Sequence, residues 1–288
     1  AAWHLAKNCC GYTVYLFEKE ARLGGHAWTV ECPTRNADVV PCDIGFMVFN
    51  DTNYPNMVQW FETMGVEPED SDMSLSVSLD GGKVEWSSDG ITGLFANVSQ
   101  AFSPSFYSFL YDMIQFNRKA SQILLLSDDD PRKHVTVAEF LKDYGTAFSV
   151  YYMLPMMAAL WSASLNDVLQ FPAVQLVSFL CNHRMLQLWD RPQWKTVAGR
   201  STRYVQAVER DVEHVVTNCP IYSLQEMDGR YKLLVMNNGI LEEAAPDVLF
   251  DDVVFACHTD TSHQILRNSG LETHEVEELL GNIEYAAN

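Results

Sequence analysis

Basic residues are scarce in this chain. Its 288 residues carry 19 Lys and Arg against 38 Asp and Glu, a formal charge of −19. So acidic a balance argues against nucleic acid or an anionic membrane as the main partner, because both reward Lys and Arg. Long apolar runs are lacking too. The most apolar stretch, Thr146 to Trp161, is too short to span a bilayer, carries Pro155 and gives way to Ser162 and Ser164. Its plain reading is a buried helix, with a peripheral membrane contact or a wall for a lipid-like ligand as alternatives; no transmembrane segment is expected. The seven cysteines, an odd number with Cys9 and Cys10 adjacent, do not form a disulfide framework. Reduced thiols in a cytoplasmic protein are expected. None of the eight histidines sits at metal-ligand spacing with a cysteine, so no metal is expected. A Gly-x-Ser-x-Gly elbow, a Walker loop and a zinc helix are all missing.

What is present begins with composition. With 48% hydrophobic, 12% aromatic and 20% charged residues, the chain is globular, with enough length for one large or two ordinary domains. The segment Val14-Tyr15-Leu16-Phe17-Glu18-Lys19-Glu20-Ala21-Arg22-Leu23-Gly24-Gly25-His26 carries the most chemistry. An apolar strand ends in a carboxylate that can take both hydroxyls of a ribose, and two adjacent glycines let the backbone approach a phosphate or ring. This is half of a dinucleotide site. In a βαβ fold the glycine-rich turn precedes such an acid by about 20 residues, which places it ahead of Ala1. Ala1 to about Cys10 reads as the remainder of the helix after that turn, stopped by Gly11. The chain therefore reads as a fragment of a longer protein, incomplete at both ends of this domain, and weak cofactor binding is expected of it alone.

Strands are expected at Thr13–Glu18, His214–Thr217, Ile221–Gln225 and Tyr231–Met236, extended chain at Ala27–Cys32 with Asp38–Pro41, and a buried-type strand at Val253–Cys257. Asp80-Gly81-Gly82 signals a hairpin between Ser74–Leu79 and Lys83–Trp86. Helices are expected over Asn53–Met64, most of Ala101–Leu126, from a Thr136 cap to Leu141, from Thr202 to about Val212, over Thr261–Leu266 and over Glu275–Leu280. The fold class is α/β, with residues 1–50 and 196–288 forming a Rossmann-like domain that a mostly helical segment, 51–195, interrupts.

Glu18, Arg22, Gly24 and Gly25 match a motif of the flavoprotein superfamily of amine oxidases, phytoene desaturases and protoporphyrinogen oxidases, which the chain resembles along nearly its whole length. In that superfamily the Glu holds the adenosine ribose, the Arg lies along ribose and diphosphate, and the glycines run beneath the diphosphate. Many relatives have Arg where this chain has His26. Asp43-Ile44-Gly45-Phe46 resembles the segment that passes the isoalloxazine ring, with a plain turn before a helix as the alternative. Asn218-Cys219-Pro220-Ile221 resembles the element whose backbone after the proline clamps the adenine edge, and Phe250 to His258 the strand and turn returning beneath the flavin domain. The resemblance implies FAD as cofactor, held by Glu18, Lys19, Arg22, Gly24, Gly25, His26, Gly45, Phe46 and Ile221. More narrowly, residues 45–50, Tyr54-Pro55-Asn56, Phe171-Pro172, Asn182-His183 and residues 191–197 are similar to a subgroup of FAD/NAD-binding oxidoreductases associated with cyclopropane-fatty-acid synthase-like proteins. That subgroup has a glycine where this chain has Arg200, which puts a tight turn there in question.

His183, Asp190 and Arg191 form a candidate acid/base pair with an anion clamp, against which stands a simply packed His183. Trp161, Trp189 and Trp194 read as core rather than an aromatic cage. The catalytic residues are not identifiable from sequence. The implied activity is FAD-dependent oxidation of a C–H bond in a small or lipid-like substrate by hydride transfer to flavin. Two other readings stand beside it: a non-catalytic binding or assembly module that keeps the fold, and an NAD-dependent oxidoreductase, since a strand-end Glu serves NAD as well. Two apolar clusters, Met153, Leu154, Met156, Met157, Leu160 and Trp161 with Phe179, Leu180, Leu186, Leu188, Trp189 and Trp194, lead to an expected substrate chamber opening towards Gly45 and Phe46.

Overall fold

Short apolar runs near residues 15 and 215 become paired strands, and their pairing organises the first of two compact units. A computed structural model describes residues 1–8, 11–36, 38–187, 191–283 and 285. Cys9, Cys10, Leu188, Trp189 and Asp190 lie outside the described residues. One unit comprises residues 1–47, 61–67 and 197–287, and the other residues 48–60 and 68–196.

In the first unit Tyr15–Phe17 lies parallel to His214–Val216, with Tyr15 opposite His214 and Phe17 opposite Val216. The Tyr15 ring stacks on His214 at 4.1 Å and meets Phe250 edge-on at 5.3 Å. Helix Ala2–Asn8 is fastened to the end of helix Thr202–Asp211 through one carboxylate. Asp211, 10% exposed, accepts the Trp3 indole N–H at 2.9 Å and pairs with Lys7 at 3.2 Å and Arg210 at 3.0 Å. The Arg210 bond first, then those from Trp3 and Lys7, hold its carboxyl well below the usual carboxylate range.

Strands Ile221–Met227, Arg230–Asn237 and Ile240–Glu243 form an antiparallel sheet. Its turns, Asp228-Gly229 and Asn238-Gly239, have positive φ at both residues, the mirror-image turn that matches strand twist. Helix Thr259–Ser269 covers it, and Leu224, Leu233 and Ile265 make the core between.

Residues 253–257 correct the expectation of a buried strand. They join no strand ladder among the described residues, and Val254 is 63% exposed. β-branched and aromatic residues favour extended backbone, but only neighbouring strands turn that preference into a sheet.

The second unit is mostly helical. Pro104 starts helix Pro104–Lys119, where its missing N–H has no intrahelical partner to lose. Phe106, Phe109 and Phe116 from this helix enter a core that also holds Phe148, Met153, Met157, Leu176 and Leu180. Thr136 and Glu139 form a reciprocal capping box. The hairpin Ser76–Leu79 and Val84–Ser87 closes through Asp80, Gly81 and Gly82, all at positive φ. Pro155 explains a widened π-turn over Ser149–Met153, because its ring crowds the carbonyl four residues back. That carbonyl, Tyr151 O, accepts the Trp86 indole N–H at 3.0 Å instead.

Strand Pro68–Ser71, paired with Trp194–Val197, was not expected: Pro-Glu-Asp-Ser is too polar to give a strand pattern. Among the described residues no helix is long and apolar enough to cross a membrane.

Candidate dinucleotide-binding site

The end of strand Tyr15–Phe17 is pinned by its neighbour's exit. Glu18 N donates to Val216 O at 2.8 Å, Cys219 N to Glu18 O at 2.8 Å and Asn218 N to Glu20 O at 2.9 Å. Asn218, at φ +52°, supplies the bend, and Pro220 leads into the strand that starts at Ile221. Glu18 and the 218–221 segment, 200 residues apart in sequence, are thus adjacent through backbone bonds. Glu18 is half-buried; its Oε1 accepts Glu20 N at 2.9 Å, and its Oε2 has no hydrogen bond within the described residues. Lys19 is exposed and lies 3.8 Å from Glu20.

The loop beyond it is shaped by Arg22, whose guanidinium donates to Gly25 O at 3.0 Å and lies 4.2 Å above the Trp28 ring. Gly24 sits at φ +110°, and a Cβ there would come within 2.5 Å of Ala27 O. The second expected segment docks on this loop: Ile44 N donates to Trp28 O at 3.0 Å and Phe46 N to His26 O at 3.2 Å. A Cβ on Gly45 would stand 1.8 Å from His26 O, so only glycine allows this approach. The His26 ring stacks on His258 at 5.5 Å, and His258 on Tyr285 at 4.9 Å.

One carboxylate fixes the end of strand Val39–Asp43, which leads to Gly45. Asp43 accepts Thr29 Oγ1 at 2.7 Å, Ser201 Oγ at 2.7 Å and Ser201 N at 3.0 Å, while Thr202 N donates to Thr29 Oγ1 at 3.1 Å. The start of helix Thr202–Asp211 is therefore already filled by a protein anion. Burial and then the Asp43 charge push the Tyr204 phenol of that helix up to about 12. The turn before it survives the departure at Arg200: Gly199 and Arg200 both adopt positive φ, +79° and +76°, and Arg200 Nε donates to Pro41 O at 3.0 Å.

The structure thus groups Glu18, Arg22, Gly24, Gly25, His26, Gly45, Phe46 and Ile221 within one unit. Sequence reasoning missed the roles of His258 and of Asp43 as a helix anchor. No local pattern announces a bond across 158 residues; a Ser-Thr helix start was the only hint.

In the other unit His183 is a packed histidine: Nδ1 lies 3.0 Å from Phe179 O, and its ring lies 4.2 Å from Phe179 and parallel to Trp194. Arg191 Nε donates to Gln187 O at 2.7 Å, and Asp190, the third member of that candidate group, lies outside the described residues. Trp161 packs edge-on against Phe171 and Phe179. Met153, Met156, Met157 and Leu180 are part of the solid helical core, with Leu154, Leu160, Trp161, Phe179 and Leu186 packed against it. Of the apolar clusters read as chamber walls, Met153, Met156, Met157 and Leu180 are therefore core, while Leu188 and Trp189 lie outside the described residues.

The sequence profile of flavin containing amine oxidoreductases matches residues 1–288. No curated protein matches the chain. Among solved structures, a double mutant of putrescine oxidase is similar at a TM-score of 0.63 and 13% identity, covering 97% of this chain and 60% of that one. Cyclohexylamine oxidase from Brevibacterium oxydans IH-35A is similar at a TM-score of 0.63 and 16% identity, covering 97% and 59%. An oxidoreductase from Methanosarcina mazei is similar at 0.57 and 13%, covering 98% and 62%. The chain spans less than two thirds of the length of each.

Proposed function

The chain belongs to the flavin containing amine oxidoreductase family, and on that premise we propose that it is the FAD-holding part of an FAD-dependent oxidoreductase acting on an amine. The observation that carries the cofactor reading is Glu18. Backbone bonds fix this acid at a strand end beside the 218–221 segment, and one carboxylate oxygen has no hydrogen bond within the described residues. It would hold the adenosine ribose. Gly24 and Gly25 would let the diphosphate approach the loop that Arg22 shapes, with His26 beside it, and Gly45 and Phe46 would lie along the ring system. When bound, FAD accepts a hydride equivalent from a substrate C–H bond. The chain's own part is to bind and orient the cofactor through the unit of residues 1–47, 61–67 and 197–287, leaving the helical unit to the substrate.

An amine substrate has two supports: the family, and the names of two similar structures, a putrescine and a cyclohexylamine oxidase. The compositional argument for a lipid-like substrate weakens, because Met153, Met156, Met157 and Leu180 are buried in the helical core. The likeness to the subgroup associated with cyclopropane-fatty-acid synthase-like proteins still points the other way.

The test uses a protein carrying this chain at the length of its relatives. Bound oxidised flavin absorbs blue light and nicotinamide does not, so the visible spectrum after gel filtration decides between them. Glu18→Ala removes one or two charge-assisted hydrogen bonds, each worth roughly 1.5–3 kcal/mol, so FAD affinity falls at least about tenfold. Unchanged flavin retention in that variant would show Glu18 to be a surface residue and remove the main support for this reading.

A further inference from the structure

Two of the reduced cysteines meet across a hairpin. Thr29–Pro33 and Val39–Asp43 pair antiparallel, with Cys32 opposite Val40 and Cys42 opposite Val30. Cys32 and Cys42 are therefore diagonal neighbours, and the two-residue side-chain period puts both on one face of the ribbon. The neighbouring Cys42 thiol, followed by burial, raises the Cys32 thiol above its ordinary value. Both are free and half-buried, and Val40 on the same face is 41% exposed, so small reagents reach the pair.

We propose that Cys32 and Cys42 form a reversible thiol–disulfide pair that fastens the 29–43 hairpin when oxidised. The oxidant is a low-molecular-weight disulfide. The Cys42 thiolate attacks one of its sulfurs, expels a thiolate and leaves a mixed disulfide on Cys42. Cys32 Sγ then attacks Cys42 Sγ and expels the second small thiolate. One protein disulfide forms, one small disulfide is reduced by two electrons, and the two protons of the protein thiols pass to the departing thiolates. A raised pKa suits Cys32 to the second, resolving attack, which happens within the protein and needs little thiolate. Diagonal Cβ atoms sit about 7 Å apart or somewhat less, and a disulfide brings them to about 4 Å. Closure therefore draws the strands across one another, a motion that a strongly twisted two-stranded ribbon accommodates. The device is placed where it matters: the residue after Cys42 is Asp43, which anchors this strand to Ser201 at the start of helix Thr202–Asp211.

The test treats the reduced chain with oxidised glutathione, blocks remaining thiols with iodoacetamide, and maps the peptides by mass spectrometry. Wild type is expected to lose two thiols and two hydrogens, to contain a Cys32–Cys42 linked peptide that dithiothreitol reverses, and to exchange amide hydrogens of residues 29–43 more slowly. Cys32→Ser is expected to retain one glutathione on Cys42, because nothing resolves the mixed disulfide. The proposal is overturned if wild type stays reduced at both positions, if it carries separate glutathione adducts on Cys32 and Cys42, or if either pairs with another cysteine. No flavin is needed, so the outcome is independent of the proposed function.

Discussion

Gly45 shows how much a single missing carbon decides. Its ideal Cβ position lies 1.8 Å from His26 O, whereas that of Gly25 has nothing within 4 Å. Gly45→Ala must push two backbones apart and is expected to cost about 1–3 kcal/mol, as overpacking does. Gly25→Ala carries only the strain of a side chain at φ +54°, about 1–2 kcal/mol. Urea denaturation of the pair separates the two costs, and FAD retention in Gly45→Ala is expected to fall because Phe46 is displaced with it. At this scale Glu18, Arg22, Gly24 and Gly25 were legible because each has a local chemical signature next to a strand. His258 was not: its place beside His26 depends on a contact 232 residues away in sequence. Arg200 misled in the opposite sense, since a residue other than glycine can hold a positive φ when its side chain and amide are bonded, here to Pro41 O and Val197 O.

Between elements, single carboxylates act as fasteners. Asp43 joins hairpin to helix, and Asp43→Ala leaves Thr29 Oγ1, Ser201 N and Ser201 Oγ without their acceptor. The expected loss is about 1–3 kcal/mol, read as a lower urea midpoint with an unchanged slope. Asp211 joins two helices and makes stability depend on acid. Its folded pKa is depressed, so its contribution is fully present above the unfolded value of about 3.9 and is lost as pH falls through the folded one. The difference in melting temperature between wild type and Asp211→Asn is therefore expected to be largest near neutrality and to shrink as pH drops from about 5 towards the folded pKa. Helix existence and the first two strands of the 221–243 sheet were legible from apolar spacing and alternation, whereas its third strand, Ile240–Glu243, was not expected. Residues 253–257 could not be read, because a strand is a relation between segments and one segment does not contain its partner.

The whole molecule divides its labour between two kinds of core. The helical unit packs aromatic residues densely, with Phe109 fully buried and its ring within 5.3–6.3 Å of Phe106, Trp86, Tyr151 and Tyr152. Phe109→Ala is expected to lose about 3–5 kcal/mol in urea denaturation, the cost of a large cavity that neighbours cannot refill. The α/β class was legible from strands alternating with helices, and the helical character of the middle from three-to-four apolar spacing. The assignment of the methionine stretch to core was settled only by packing, since composition is the same for a wall and a centre. The parallel pairing of Tyr15–Phe17 with His214–Val216 also sets a timetable. A ribosome adding about 5–20 residues per second reaches residue 214 roughly 10–40 seconds after residue 17. Residues 214–216 leave the exit tunnel that same interval after residue 17, and residues 48–60 and 68–196 emerge before them with the partners needed for their own core. Strand Tyr15–Phe17 thus meets this partner only after the helical unit has been made, and until then the edge that faces His214–Val216 is a natural foothold for chaperones.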